Sequence, residues 1–322
     1  MKTPHHFYAL ILACSLPLTS FAFDLQGHRG ARGLAPENTL AAFSTGLKTG
    51  VTTLELDIGV SADGVVMISH DPWLNPAFTR DANSQWLAGT RGPLIRSLTF
   101  AQLQTYDVGR INPASPYAGQ FPSQQAADGQ RMPPLAGLFE MVKAAGAANI
   151  RFNIETKLNP LSPEDTVSPE TMTQALLKVV RDSGMTHRVT IQSFDWRSLR
   201  LVQQLDPAMP TACLSAQSAT GDTIRDGRWT AGLKLADYSG VPQLAKAAGC
   251  AIWSPNAVSI TEDLVKQAQV LGLKVVPWTV NAPSDMQRLL EWNVDGLITD
   301  YPDRLRTVMQ QRGMPLPAAL GR

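Results

Sequence analysis

The chain has 322 residues, and its 28 Lys and Arg against 27 Asp and Glu leave a formal net charge of +1. Bulk electrostatics therefore offers nucleic acid no basic surface. An apolar share of 44% is enough to bury a large core, as one big domain or two small ones.

The first 22 residues differ from the rest. MKTPHH is weakly basic, FYALILACSLPL is apolar for about a dozen residues, and Ser20-Phe21-Ala22 is small-x-small. This shape predicts a secretory signal peptide cut after Ala22, and so an exported protein, periplasmic or secreted. The apolar run is shorter than the ~20 residues a membrane-spanning helix needs. Two other readings are a hydrophobic first helix of the fold and a lipoprotein box ending at Cys14, before which the apolar stretch is short. Cleavage at Ala22 leaves Cys213 and Cys250. They could pair in an oxidising compartment or stay as two buried thiols. Neither has a neighbouring His that would suggest a catalytic thiol.

Beyond the leader, apolar β-patterned runs at 25–28, 53–60, 65–69, 151–155, 189–193, 211–215, 251–254, 274–279 and 296–299 alternate with helical patterns. The helical stretches are 37–48, 135–145, 168–183, 195–205, 241–248, 261–271 and 284–292. His28 and Arg29 close the first run. Glu37-Asn38-Thr39 opens the first helix, with Asn38 as its expected N-cap, Glu37 as a candidate rim hydrogen-bonder and Gly50 just past the end. Glu55 and Asp57 are two apart in a strand and share one face. His70 and Asp71 close the run after it.

Between Val60 and Val65 stand only Ser61-Ala62-Asp63-Gly64, too few for a crossover, and Asp-Gly is a hairpin signal. The runs 53–60 and 65–69 should therefore pair antiparallel. Pairing Ser61 with Gly64 sets Val60 opposite Val65 and folds His70 onto the face of Glu55 and Asp57. A one-residue bulge at the turn would send it to the other face. Of the nine runs, removing the returning arm leaves eight parallel strands. The expected fold is therefore α/β, a (β/α)8 TIM barrel with a hairpin at its second strand, over residues 23–322.

The stretch 72–134 breaks the βα rhythm. It contains Trp73, Phe78, Trp86, Tyr106, Tyr117 and Phe121, with one helical piece near 98–105. Connections of this length are usually functional, and the aromatic content argues against a disordered linker. It is read as an inserted cap over the barrel mouth.

Later strand ends bring Asn153, Glu155 and Lys157 on one face, then Gln192-Ser193-Phe194, Trp278 to Asn281, and Asp295 to Asp300. Buried carboxylates need a cation partner. Glu55, Asp57 and Glu155, with no cysteine nearby, point to Ca2+ or Mg2+. Imidazoles can exchange protons and an arginine can hold an anion. The set suits cleavage of a phosphate ester.

HRG followed by PENT, then E-x-D, a D-G turn, HD, N-x-E-x-K, Q-S-F, W-T-V-N and D-G-x-x-T-D-Y-P run in that order over about residues 25–305. Together they resemble the glycerophosphodiester phosphodiesterase family, of an exported type. The resemblance implies a metal-dependent TIM barrel that hydrolyses glycerophosphodiesters to an alcohol and sn-glycerol 3-phosphate. It implies His28 and His70 as the acid–base pair, Glu55, Asp57 and Glu155 as metal ligands, and Arg29 and Lys157 on the phosphate. Trp278 becomes a wall for the glycerol, where packing in the core is the other reading. Thr156 departs from the family, which commonly has an aliphatic residue there, but it points away from the Glu155/Lys157 face. Asp300 is read as a cap of the last loop, Asp71 as a turn residue before Pro72, and His187 as solvent-facing.

The expected partner is a small-molecule glycerophosphodiester, without nucleic acid or stable membrane insertion. The residues leave open which histidine is the acid, whether water or the glycerol 2-hydroxyl attacks, and the oligomeric state. Two rivals are a catalytically dead binding barrel and a phospholipase D-like or phosphoinositide-specific relative acting on intact lipids. The second predicts an exposed apolar lip, and the sequence has no obvious amphipathic membrane helix to go with it.

Overall fold

The computed structural model of the chain describes residues 23–218 and 221–321; the expected leader and Cys14 lie outside them. Strands β1 (Asp24–Gly27), β2 (Thr53–Val60), β3 (Val66–Ile68), β4 (Arg151–Thr156), β5 (Val189–Ser193) and β6 (Thr211–Ser215) come first. A two-residue pair, β7 (Gln217–Ser218) and β8 (Gly221–Asp222), precedes β9 (Ile252–Pro255), β10 (Lys274–Val275) and β11 (Gly296–Thr299). Eight of these run parallel in the order β10-β9-β6-β5-β4-β2-β1-β11. Across the gap between the two ends, Asp295 N–H donates to Val275 O at 2.9 Å and Ile298 N–H to Pro277 O at 3.0 Å. Val280 N–H also donates to Ile298 O at 2.9 Å. The sheet thus comes round on itself as the expected barrel.

Helices α1 (Leu40–Thr49), α2 (Phe100–Leu103), α3 (Leu135–Ala144), α4 (Pro169–Asp182), α5 (Trp196–Leu205), α6 (Val241–Ala247), α7 (Glu262–Val270), α8 (Pro283–Glu291) and α9 (Pro302–Gln311) complete the chain order. All but the short α2 follow a barrel strand or the hairpin. Their apolar faces close on the outward side chains of the strands: Phe139 of α3 meets Phe152 of β4 edge-on at 4.8 Å. Truncating a buried aromatic of this kind costs ~3–5 kcal/mol.

Neither α9 nor the β7/β8 pair was expected from the sequence. α9 carries the signals nonetheless, with Pro302 in its first turn and Leu305, Val308 and Met309 buried on one stripe. β10 is shorter than the 274–279 run because Pro277 has no N–H for the ladder. Cys213 and Cys250 form a disulfide, with Cα atoms 5.9 Å apart. Among the described residues no helix is long and apolar enough to cross a membrane.

The hairpin is antiparallel, but its register is Ile58↔Ile68, Gly59↔Met67, Val60↔Val66, one residue from the expected pairing of Val60 with Val65. The loop holds an extra residue: Ser61 N–H donates to Val65 O at 2.9 Å, and Val65 N–H returns to Ser61 Oγ at 2.9 Å. Pleating alone would now turn His70 away from the carboxylates. β3 stops at Ile68, however, and after Ser69 N–H donates to Asp57 O at 2.9 Å the chain leaves the ladder. His70 reaches the pocket from that departing segment.

The stretch 72–134 holds α2 and a series of turns. Leu74, Ile95, Leu103 and Met132 pack with Met67 of β3 in a hydrophobic cluster apart from the barrel core.

Candidate active site

The site begins with a turn that only glycine permits. Gly30 N–H donates back to Gly27 O and across to Glu55 O, both at 3.1 Å. A Cβ on Gly27 would lie 2.0 Å from Gly30 O, and Gly30 itself sits at φ +89°. Between them His28 and Arg29 are presented at the C-terminal end of β1. Arg29 has φ 50°, a left-handed conformation that costs an arginine about 1–2 kcal/mol. In that conformation its N–H donates to Glu55 Oε2 at 2.8 Å.

β2 and β4 supply the acids. Their register sets Asp57 beside Glu155, and Glu55, Asp57 and Glu155 each offer an oxygen within 4.8 Å of the others. All three are buried. Beneath them the barrel interior is polar: Asn153 Nδ2 donates to Gln26 Oε1 and Gln192 Oε1, both at 2.8 Å. Gln192 Nε2 in turn donates to Glu55 Oε1 at 2.8 Å, so the layer fixes Glu55.

Asn38, expected to cap α1, does something else. Thr39 is the cap, accepting from Ala42 N–H at 3.2 Å, while Asn38 turns at φ 55° and donates to Asp57 Oδ2 at 2.9 Å. Asn and Asp adopt this left-handed region more readily than most residues.

The three carboxylates are held in a costly state. Burial and then the Asp57 charge hold Glu55 well above its usual range. Burial pushes Glu155 up to about 7, with Asp57 adding to it against the Lys157 ammonium. At Asp57 burial also pushes upward, but Lys157, His70, Arg29 and the Asn38 hydrogen bond together hold it low.

Lys157 Nζ lies 2.8 Å from Glu155 Oε1 and 3.7 Å from Asp57 Oδ1. Even so, Asp57 Oδ1 and Arg29 Nε have no hydrogen-bond partner among the described residues. An all-oxygen donor set with an orphaned carboxylate oxygen fits a hard divalent cation. Arg29 Nε beside it makes no hydrogen bond among the described residues and stands 3.5 Å from Asp57 Oδ2, a guanidinium charge suited to an anion.

Both histidines line the same cavity. His28 Nδ1 is 2.6 Å from Asp300 Oδ1. Asp300 also accepts from Arg32 Nε at 2.8 Å, from Arg32 Nη2 at 3.1 Å and from Asn281 Nδ2 at 2.7 Å. A carboxylate receiving that many donors is ionised, and His28 and Arg32 hold it low against its burial. His28 therefore carries its proton on Nδ1, and its Nε2 lone pair faces the pocket, 3.9 Å from Glu55 Oε2.

Burial and then the Arg32 charge lower His28 to about 4, so the ring is neutral at pH 7. Asp300 is thus not the loop cap that was expected. That role falls to Thr299, whose Oγ1 accepts Tyr301 N–H at 3.1 Å. His70 pairs its Nδ1 with Asp71 Oδ1 at 3.1 Å, and burial, Arg29 and Lys157 lower it too. Asp71 also accepts from Asn75 at 2.7 Å, so it serves both the turn and the histidine.

His28, Arg29, Glu55, His70, Glu155, Lys157 and Trp278 line one cavity of about 200 Å³. Asp57 lies beneath it within the carboxylate group. Trp278 stands as a wall edge-on to Phe194 at 5.3 Å, its Nε1 tied to Ser254 O at 2.9 Å. Thr156 faces outward onto Ser198 at 2.8 Å, and His187 is exposed. Sequence reading missed Arg32, the pairing role of Asp300, and Tyr117. Arg32 had a signal, because it falls one helical turn after His28 and its N–H donates to His28 O at 3.2 Å.

The model of the glycerophosphoryl diester phosphodiesterase family matches residues 28–304. A glycerophosphodiester phosphodiesterase from Caldanaerobacter subterraneus is 27% identical over 89% of this chain and 97% of its own length. One from Bacillus subtilis is 29% identical over 87% and 84% respectively. Among solved structures, a candidate glycerophosphoryl diester phosphodiesterase from Silicibacter pomeroyi superposes with a TM-score of 0.82 at 32% identity, covering 92% of this chain and 96% of that one. An Oleispira antarctica phosphodiesterase, solved in complex with sn-glycerol-3-phosphate, shares the fold at 22% identity and a TM-score of 0.65, over 90% of this chain and 98% of its own.

Proposed function

The chain belongs to the glycerophosphoryl diester phosphodiesterase family, and from that premise we propose that it hydrolyses glycerophosphodiesters to an alcohol and sn-glycerol 3-phosphate. The observation that carries the reading is one cavity lined by His28, His70, Arg29, Glu55 and Glu155, with buried Asp57 grouped against the two glutamates.

Glu55, Asp57 and Glu155 are the residues to hold a divalent cation, Ca2+ or Mg2+, which when bound supplies positive charge against a nonbridging phosphate oxygen. Arg29 binds a second phosphate oxygen through its guanidinium, and Lys157 contributes its ammonium from the rim. His28 receives the proton of the attacking hydroxyl on Nε2 while Asp300 holds Nδ1–H, so the imidazolium that forms is stabilised in place. His70, its Nδ1 held by Asp71, is the group to protonate the departing alcohol, and it does so from its imidazolium form, which its lowered pKa makes the scarcer form and the stronger acid. Trp278 and Phe194 wall the substrate's organic side, and the insertion 72–134 caps the mouth. The leader-like residues 1–22 support export, as does the Cys213–Cys250 disulfide, which suits an oxidising compartment.

The test is release of sn-glycerol 3-phosphate from glycerophosphocholine by the purified protein, in Ca2+, in Mg2+ and in EDTA. Metal-dependent turnover that fails on diacyl phosphatidylcholine is expected. No turnover on any glycerophosphodiester in either metal overturns the assignment.

A further inference from the structure

We propose that Tyr117, supplied by the insertion 72–134, is a positioning residue for both the phosphate-binding and the proton-transfer sides of this site. The inference rests on the phosphodiesterase reading above. A tyrosine hydroxyl has one hydrogen to give and lone pairs to receive, and here both are used. The hydrogen goes to Glu37 Oε2, and the oxygen receives Arg32 Nη1 at 3.3 Å. From Glu37 the chain of contacts continues through Oε1 to Arg29 Nη1 at 2.5 Å. From Arg32 it continues to Asp300 and so to His28 Nδ1. One hydroxyl therefore joins two relays, one ending on the anion-binding arginine and the other on the proton acceptor.

The surroundings make this contact rigid. The Tyr117 ring lies against Phe78 at 5.9 Å and Phe121 at 5.1 Å, and Arg32 stacks over Phe121 at 4.6 Å. The same insertion holds the loop's backbone, with Gln124 Nε2 donating to Arg32 O at 2.7 Å and Gln125 N–H to Leu34 O at 2.9 Å. Glu37 is only 6% exposed, so water cannot readily replace the hydroxyl. Without it a buried carboxylate oxygen loses its donor, and both guanidinium groups gain freedom to swing. A lid that only shaped the mouth would have no need to reach the residues behind His28 and Arg29.

The test is Tyr117→Phe in the full chain, which keeps the ring contacts and removes the hydroxyl, read first by calorimetric titration with inorganic phosphate. Phosphate binding should weaken roughly tenfold, the worth of one hydrogen bond to a charged group, while the variant stays folded with a thermal midpoint lower by no more than a few degrees. On glycerophosphocholine KM should rise and kcat should fall together. Phe78→Leu, which loosens the ring contact and keeps the hydroxyl, should leave both readouts within about twofold of wild type.

Tyr117→Phe binding phosphate as wild type does overturns the proposal, and so do equal losses in Phe78→Leu, which would reduce the effect to packing. If wild type turns over no glycerophosphodiester while Tyr117→Phe still loses phosphate affinity, the reaction assignment fails and the positioning role stands.

Discussion

His28 Nδ1 and Asp300 Oδ1 meet at 2.6 Å across a sequence separation of 272, and that contact decides which ring nitrogen of His28 faces the substrate. Replacing Asp300 with Asn keeps the shape and removes the charge that selects the Nδ1–H tautomer. It also leaves Arg32, itself largely buried, without its ion pair. Asp300→Asn should lower kcat on glycerophosphocholine by ~100-fold or more, a loss of about 3 kcal/mol in transition-state stabilisation. Steady-state kinetics on folded variant would check this; a change under threefold would remove Asp300 from the mechanism.

The carboxylate group makes stability depend on pH and on metal together. Glu155 has its pKa raised from 4.5 to about 7 in the folded chain. Over that window the unfolded chain gives up its proton first, so the folded state binds more protons and stability falls as pH rises. In EDTA the loss between pH 4.5 and 7 should reach the order of 3 kcal/mol. Millimolar Ca2+ or Mg2+ should abolish it and raise the thermal midpoint. Glu155→Gln should show a shallower slope, the remainder coming from Glu55, whose pKa is also raised, and a weaker metal response. Parallel melting curves in chelator and in metal would contradict the cation site.

Asn38 and Thr39 are neighbours with separable roles. Thr39→Ala removes the α1 cap and should cost ~1 kcal/mol of stability with kcat within twofold of wild type. Asn38→Gly keeps the left-handed backbone but removes the donor to Asp57. It should lower kcat/KM by roughly tenfold. Urea unfolding and kinetics on the two variants would expose an error if the losses fell the other way round.

The disulfide closes a loop with a sequence separation of 37, which loop entropy values at ~3–4 kcal/mol. A Cys213→Ala, Cys250→Ala double variant should lose that much unfolding free energy and melt at lower urea, and dithiothreitol should shift wild type in the same direction. Equal midpoints with and without reductant would mean that the bridge does not form in solution.

Much of the fold was legible because it is written in short-range patterns. The runs 53–60, 189–193, 211–215 and 296–299 are strands at those residues, since apolar stretches of strand length between turn signals leave a parallel strand few alternatives. Glu55, Asp57 and Glu155 could be chosen because charge inside such a run is expensive enough to need a reason. Where the outcome turned on one residue in a loop, local pattern was insufficient. The extra residue between Ser61 and Val65 shifted the hairpin register, and the helix cap expected of Asn38 is made by Thr39.

The sequence by itself determined the barrel, the hairpin and the acids, histidines and arginine at its mouth. Periodicity and burial cost act over a few residues, and both can be read along the chain. The tertiary structure alone decided how each of those groups is held. His28 takes its tautomer from Asp300, Arg29 is braced by Glu37 and Tyr117, and Asp57 is met by Asn38. A hydrogen-bond partner is chosen by proximity after the barrel closes, and nothing in local spacing encodes which of many distant polar groups will arrive.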